Sequence, residues 1–137
     1  MVMEIPLKPT GKEDIRKLEL GLLLGTLFRP EVLESIRNAE DKITWLDSLI
    51  IAAGALARER AGLTATKIAE ELGRTEQTIR NHLTEKTEAG KLVKKTYESL
   101  VKGEEVPFFL AEEERVKKLE EKLEKVKEKL EEILKEL

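Results

Sequence analysis

The chain of 137 residues contains no cysteine, so neither disulfides nor thiolate chemistry are open to it, a composition compatible with a reducing cytoplasm. Histidine occurs once, at His82. No cysteine, second histidine or carboxylate cluster completes a ligand set with it, and a structural role is expected. Neither GxxxxGKS/T nor GxGxxG occurs, which removes the common phosphate cradles, and the glycines lie scattered through or beside helical stretches. Long apolar runs are missing as well. Residues 13–28 are about half the length a bilayer span requires, and residues 43–57 are interrupted by Asp47. The first residues show no basic leader followed by an apolar run and a small-residue cleavage site. These absences predict a cytoplasmic protein without enzyme activity, cofactor, metal or membrane association.

Asparagine and glutamine are scarce while charged residues make up 39% of the chain, a balance associated with thermophilic proteins and their surface ion-pair networks. The net charge of −3, from 25 basic against 28 acidic residues, argues against a generic polycation for nucleic acid. Charge is segregated, however. Between Thr64 and Lys102 stand eight basic side chains against six acidic ones, a mildly basic stretch within an acidic chain.

The organising stretch is residues 63–84, LTATKIAEELGRTEQTIRNHLT. Ile68 with Leu72, and Ile79 with Leu83, stand four apart and stack on one face of each of two short helices. Ala69 fits where those helices cross most closely. Gly73 permits the left-handed backbone that ends the first helix, and Thr75 is placed to cap the second. The pattern is a helix-turn-helix. Its IAEELG and TIRNHL resemble the helix-turn-helix of LuxR-type response regulators and of sigma-factor region four, with two departures. Lys67 stands where an acidic residue usually completes a capping box with Thr64, and Arg74 where an apolar residue is usual. A wider window, residues 31–103, resembles a regulatory domain of archaeal proteins that occur beside KaiC-like ATPases, carried by ITWLDSLIIAAGALARERAG and TEAGKLVKKTYESLVKGE. That resemblance implies an archaeal sensory or gene-regulatory role with a KaiC-like ATPase as a partner.

Around the motif, residues 13–28 read as a helix that Ile15, Leu18, Leu20, Leu22, Leu23, Leu24, Leu27 and Phe28 nearly encircle, so it is expected to be buried or to sit in an interface. Gly21 and Gly25 invite a close helix neighbour, or mark simple core packing. Pro30 can open a short helix over 31–38 with Val32, Leu33 and Ile36 inward. Residues 41–60 form a long helix whose expected buried stripe is Ile43, Leu46, Leu49, Ile50, Ala53 and Leu56, with Trp45 a core anchor or a partner contact. A further helix is expected over 85–101, with Leu92, Val93, Tyr97, Leu100 and Val101 apolar. EIPL near the start and GEEVPFFL at 103–110 read as extended segments that could pair.

Residues 111–137 carry a heptad seam of Val116, Leu119, Leu123, Val126, Leu130, Ile133 and Leu137. Leucine dominates the a positions, with Leu119, Val126 and Ile133 at d. In a parallel pair Lys122 meets Lys127 of the other strand while Arg115 meets Glu120, so neither strand number nor direction is selected. Glu113 with Lys117, Glu114 with Lys118, Glu121 with Lys125 and Glu131 with Lys135 support the helix at four-residue spacing.

The expected architecture is therefore all-α: a helical domain over 1–104 containing the helix-turn-helix at 63–84, then a linker and coiled-coil-like amphipathic helix over 105–137. The function expected from it is a DNA-binding transcriptional regulator that assembles as a homo-oligomer through the seam. Gln77, Thr78, Arg80, Asn81 and Thr84 would face the major groove of double-stranded DNA, where Gln77 and Asn81 suit adenine and Arg80 suits guanine or phosphate. Lys67, Arg74, Lys86, Lys91, Lys94 and Lys95 would hold the phosphate backbone. Glu76 faces the same groove and is unfavourable there unless it accepts from a cytosine amino group. Two readings compete with it: the hairpin is only a packing unit with ordinary helix surface outside, or the chain is a non-enzymatic protein-interaction adaptor whose hairpin and terminal heptads dock on a partner such as the KaiC-like ATPase.

Overall fold

In the segment Ile51–Ala57 every side chain is buried, and most of them are small: Ala52, Ala53, Gly54, Ala55 and Ala57. A helix with so little bulk on any side can take neighbours all round, and this one becomes the hub of the fold. The computed structural model describes residues 5–104 and 110–136, and among them every regular element is a helix. The helices are α1 (Lys12–Leu27), α2 (Pro30–Asn38), α3 (Lys42–Arg60), α4 (Ala65–Leu72), α5 (Glu76–Leu83), α6 (Glu88–Val101) and α7 (Leu110–Glu136). The hub, α3, touches each of α1, α2, α4, α5 and α6.

Two apolar clusters share it. On one side Leu49, Ala52, Ala53 and Leu56 meet Leu18 and Leu22 of α1 and Val93 of α6, with Trp45, Leu27 and Tyr97 packed at the edge. On the other side Ile51 and Ala55 meet Ile68 and Ala69 of α4 and Ile79 of α5. Trp45 is thus a half-buried core anchor. Asp41 starts the hub by accepting from the Thr44 amide at 3.0 Å, and bonds from the Thr44 hydroxyl and amide hold its carboxylate below the usual range. Arg58 ties three helices together: it pairs with Glu19 of α1, with Glu71 of α4 at 2.9 Å, and with the Gly54 carbonyl at 3.0 Å. A methyl group at Gly54 would collide with that Glu19 carboxylate, so the bare backbone makes room for the pair. At the far end of α1, the hydroxyls of Thr26 and Thr96 lie 2.7 Å apart in the core, and Arg29 donates to Thr96 at 3.2 Å.

Several expectations are corrected. Ile43 and Ile50 do not belong to the buried stripe: they are 82% and 47% exposed, and the burial of α3 follows Leu49, Ala52, Ala53 and Leu56 instead. Val101 is exposed at the end of α6, and Leu20 leaves α1 short of full enclosure. The sixth helix begins at Glu88 rather than Glu85. Glu85 takes a left-handed φ of 62°, and Thr87 caps the helix by accepting from the Gly90 amide. No strand occurs among the described residues; the expected partner segments fall partly on 1–4 and 105–109, outside them. Ile5 instead packs onto Gly21, where a Cβ would stand 2.7 Å from its Cδ1, so the close neighbour at Gly21 is the N-terminal segment and not a helix. Tyr97 donates to the Leu7 carbonyl at 2.9 Å, fastening the same segment.

The helix α7 touches none of the other helices among the described residues. Its seam residues Val116, Leu119, Leu123, Val126, Leu130 and Ile133 are 53–70% exposed, and Leu134 just off the seam is exposed too. Leu137 lies outside the described residues.

Candidate nucleic-acid interface

The hairpin of α4 and α5 forms through local chemistry. Thr64 accepts from the Lys67 amide at 3.2 Å, so the first helix is capped although Lys67 replaces the acidic member of a capping box. Gly73 ends that helix at φ 65°, with nothing near its missing Cβ, so conformation and not space calls for glycine there. Thr75 accepts from the Thr78 amide at 3.1 Å and donates to the Thr78 hydroxyl at 2.9 Å. Ile68, Ala69 and Ile79 are buried between the two helices and α3.

The outward side of α5 is polar and open. Gln77, Arg80 and Thr84 are exposed, while Thr78 and Asn81 are half-buried. The Gln77 amide donates to Asn81 at 2.8 Å, which pre-orients the two groups suited to adenine. Thr84 caps the end of α5, its hydroxyl donating to the Arg80 carbonyl at 2.7 Å. Glu76 is partly neutralised: it accepts from the Thr66 hydroxyl across the hairpin and lies 3.8 Å from Arg80.

The cations divide into two groups. Arg74 grips Asp47 of α3 with contacts of 2.9 and 3.2 Å and also reaches the Leu72 and Gly73 carbonyls, so it pins the turn to the hub. Lys67 lies 3.7 Å from Glu70 and lines an open cleft of about 580 Å³ with Lys12 and Arg16 of α1. Lys86, Lys91, Lys94 and Lys95, by contrast, make no ion pair among the described residues; all but the half-buried Lys94 are exposed. Lys86 follows α5 and the other three stand on α6.

Two residues escaped the sequence reading. Gly90 on α6 lies so close to α5 that a Cβ would stand 2.2 Å from the His82 carbonyl oxygen. Asp47 interrupts an apolar run, the one sign that it serves a purpose on the surface, and that purpose is to hold Arg74. His82 is buried, its Nδ1 2.7 Å from the Thr87 hydroxyl. Burial pushes its pKa down, against a smaller upward pull from Asp47.

A depressed folded-state value means that the neutral ring suits the fold. The stability it contributes is complete above the unfolded value near 6.5 and is lost as pH falls through the folded one. Urea midpoints between pH 7.5 and pH 5 should therefore fall more for the native chain than for His82→Gln. Parallel slopes would show that the ring titrates as it does in water.

The chain is 60% identical over 120 residues to the uncharacterized protein MJ1053 of Methanocaldococcus jannaschii, a thermophilic archaeon, covering 85% of this chain and 74% of that one. The chain belongs to the same family. No family model matches it, and no solved structure matches it. The described helices include none long and apolar enough to cross a membrane.

Proposed function

We propose that this member of the family is a cytoplasmic, non-enzymatic transcriptional regulator that presents α5 to the major groove of double-stranded DNA. The observation that carries this reading is the division of α5: Ile79 and His82 hold one side in the core, while Gln77, Arg80 and Thr84 stand in solvent on the other. Gln77 and Asn81 form a paired amide surface for adenine, Arg80 reaches guanine or phosphate, and Lys86, Lys91, Lys94 and Lys95, which make no ion pair among the described residues, hold the backbone. Arg74 contributes by fixing the turn to α3, since its guanidinium is already engaged there.

The test is fluorescence anisotropy with a labelled pool of random duplex DNA, repeated over a salt series. Affinity should fall steeply with rising salt as phosphate counterions are released. Arg80→Ala should weaken binding by about tenfold or more, while leaving unfolding unchanged to within roughly 0.5 kcal/mol. Equal affinity for the two proteins would remove Arg80 from the contact surface. Absence of binding even at low salt would overturn the proposal.

A second reading makes the chain a protein-interaction adaptor whose hairpin and terminal heptads dock on a protein such as a KaiC-like ATPase. The exposed seam of α7 and the exposed Ile43 and Ile50 of α3 support it. A chain that ignores DNA at low salt would favour it.

A further inference from the structure

We infer that α7 pairs antiparallel with α7 of a second copy of this chain, in the register that sets Val116 against Ile133, Leu119 against Leu130 and Leu123 against Val126. The seam is uncovered along its described length, and α7 meets no other helix of its own chain among the described residues. A helix this charged depends on covering such a stripe for much of its stability.

Charge and side-chain shape choose the partner and the direction. At the positions flanking the seam, Glu120, Lys127 and Leu134 occupy e, and Arg115, Lys122, Lys129 and Glu136 occupy g. A parallel pair sets Arg115 against Glu120 but Lys122 against Lys127, so each attraction is matched by a repulsion. The antiparallel pair centred between residues 124 and 125 sets Glu120 against Lys127 and Arg115 against Glu136, leaving only Lys122 against Lys129 unfavourable. Each contact occurs twice by symmetry, so attractions outnumber repulsions two to one. The seam also disfavours the parallel dimer: two-stranded parallel coils favour β-branched residues at a and leucine at d, whereas here Leu123 and Leu130 fill a positions and Val126 and Ile133 fill d, a pattern that shifts parallel coils to higher strand numbers. In the antiparallel register a valine faces a leucine in the two central layers, Leu119 faces Leu130 in the next, and Val116 faces Ile133 at each end. The partner is thus a second copy of the same helix, and the contact is isologous. This inference is independent of the DNA reading.

The absence of native cysteine makes the test clean. The full chain should sediment as two copies at micromolar concentration, and Leu123→Glu with Leu130→Glu should halve that mass and lower the helical far-UV signal while leaving the urea midpoint of the body, followed by Trp45 fluorescence, unchanged. Val116→Cys and Ile133→Cys, mixed under a redox buffer, should form a disulfide between the two variants, and neither should link to itself. Leu119→Cys with Leu130→Cys repeats the test one layer inward. Self-linked Val116→Cys would mean parallel strands, and a mass of one or four chains would mean that the seam is covered otherwise. Either result overturns the inference.

Discussion

Ile79→Ala should cost the helical body about 2–5 kcal/mol, read as a drop in the urea midpoint with an unchanged m-value. Ile79 is completely buried, and its neighbours come from three helices: Ile51 and Ala55 of α3, Ile68 and Ala69 of α4, and Leu83 of its own helix at the edge. Such a site cannot collapse onto the missing atoms without moving the hub, so the cavity cost adds to the lost transfer energy. The same substitution at Arg80, one residue on, removes only exposed atoms. A pair of neighbouring positions on one helix should therefore separate stability from affinity. A loss under about 1 kcal/mol at Ile79 would mean that α5 packs loosely, and its outward face would then be poorly oriented for any partner.

What could be read from the sequence was local. The hairpin followed from paired apolar residues at four-residue spacing, a glycine where the backbone turns left-handed, and threonines where helices begin, all of which act within a few residues. The seam of α7 was legible for the same reason. The burial of α3 was legible only in part: between Ile51 and Ala57 nearly every residue is apolar and small, so periodicity had no contrast to register, and Ile43 and Ile50 looked like members of the stripe of which Leu49, Ala53 and Leu56 are the buried part. Glu85 gave no warning of its left-handed backbone, since glutamate is not a residue that favours it. Within the candidate interface, the polar side of α5 was legible by exclusion from its apolar side. The couplings that modify it were less so. Gln77 with Asn81 follows from spacing, but Thr66 with Glu76 and Asp47 with Arg74 join residues ten and twenty-seven positions apart, and only the packed hairpin brings them together.

Gly90→Ala should destabilise the body by roughly 1–3 kcal/mol or more, against the direction that helix propensity alone would give. An alanine within a helix ordinarily gains up to about 1 kcal/mol over glycine. Here the added carbon would lie 2.2 Å from the His82 carbonyl oxygen and 3.0 Å from its Cα, and these are backbone atoms that cannot rotate aside. Relief requires α5 and α6 to separate, which strains the contact between His82 and Thr87 and the cap that Thr87 makes to the Gly90 amide. Gly11→Ala is the control for steric clash: that position has open space around it and an extended backbone, so unfolding should change by no more than the roughly 1 kcal/mol that alanine costs at a helix N-cap. If Gly90→Ala matches the control, the two helices do not approach as closely as described. The consequence for function follows from the same geometry. Lys91, Lys94 and Lys95 stand on α6 and Arg80 on α5, so prying these helices apart changes how the lysines stand relative to Arg80. On the proposed DNA-binding reading Gly90→Ala should therefore lose affinity even under conditions where it remains fully folded, whereas Gly11→Ala should bind like the native chain.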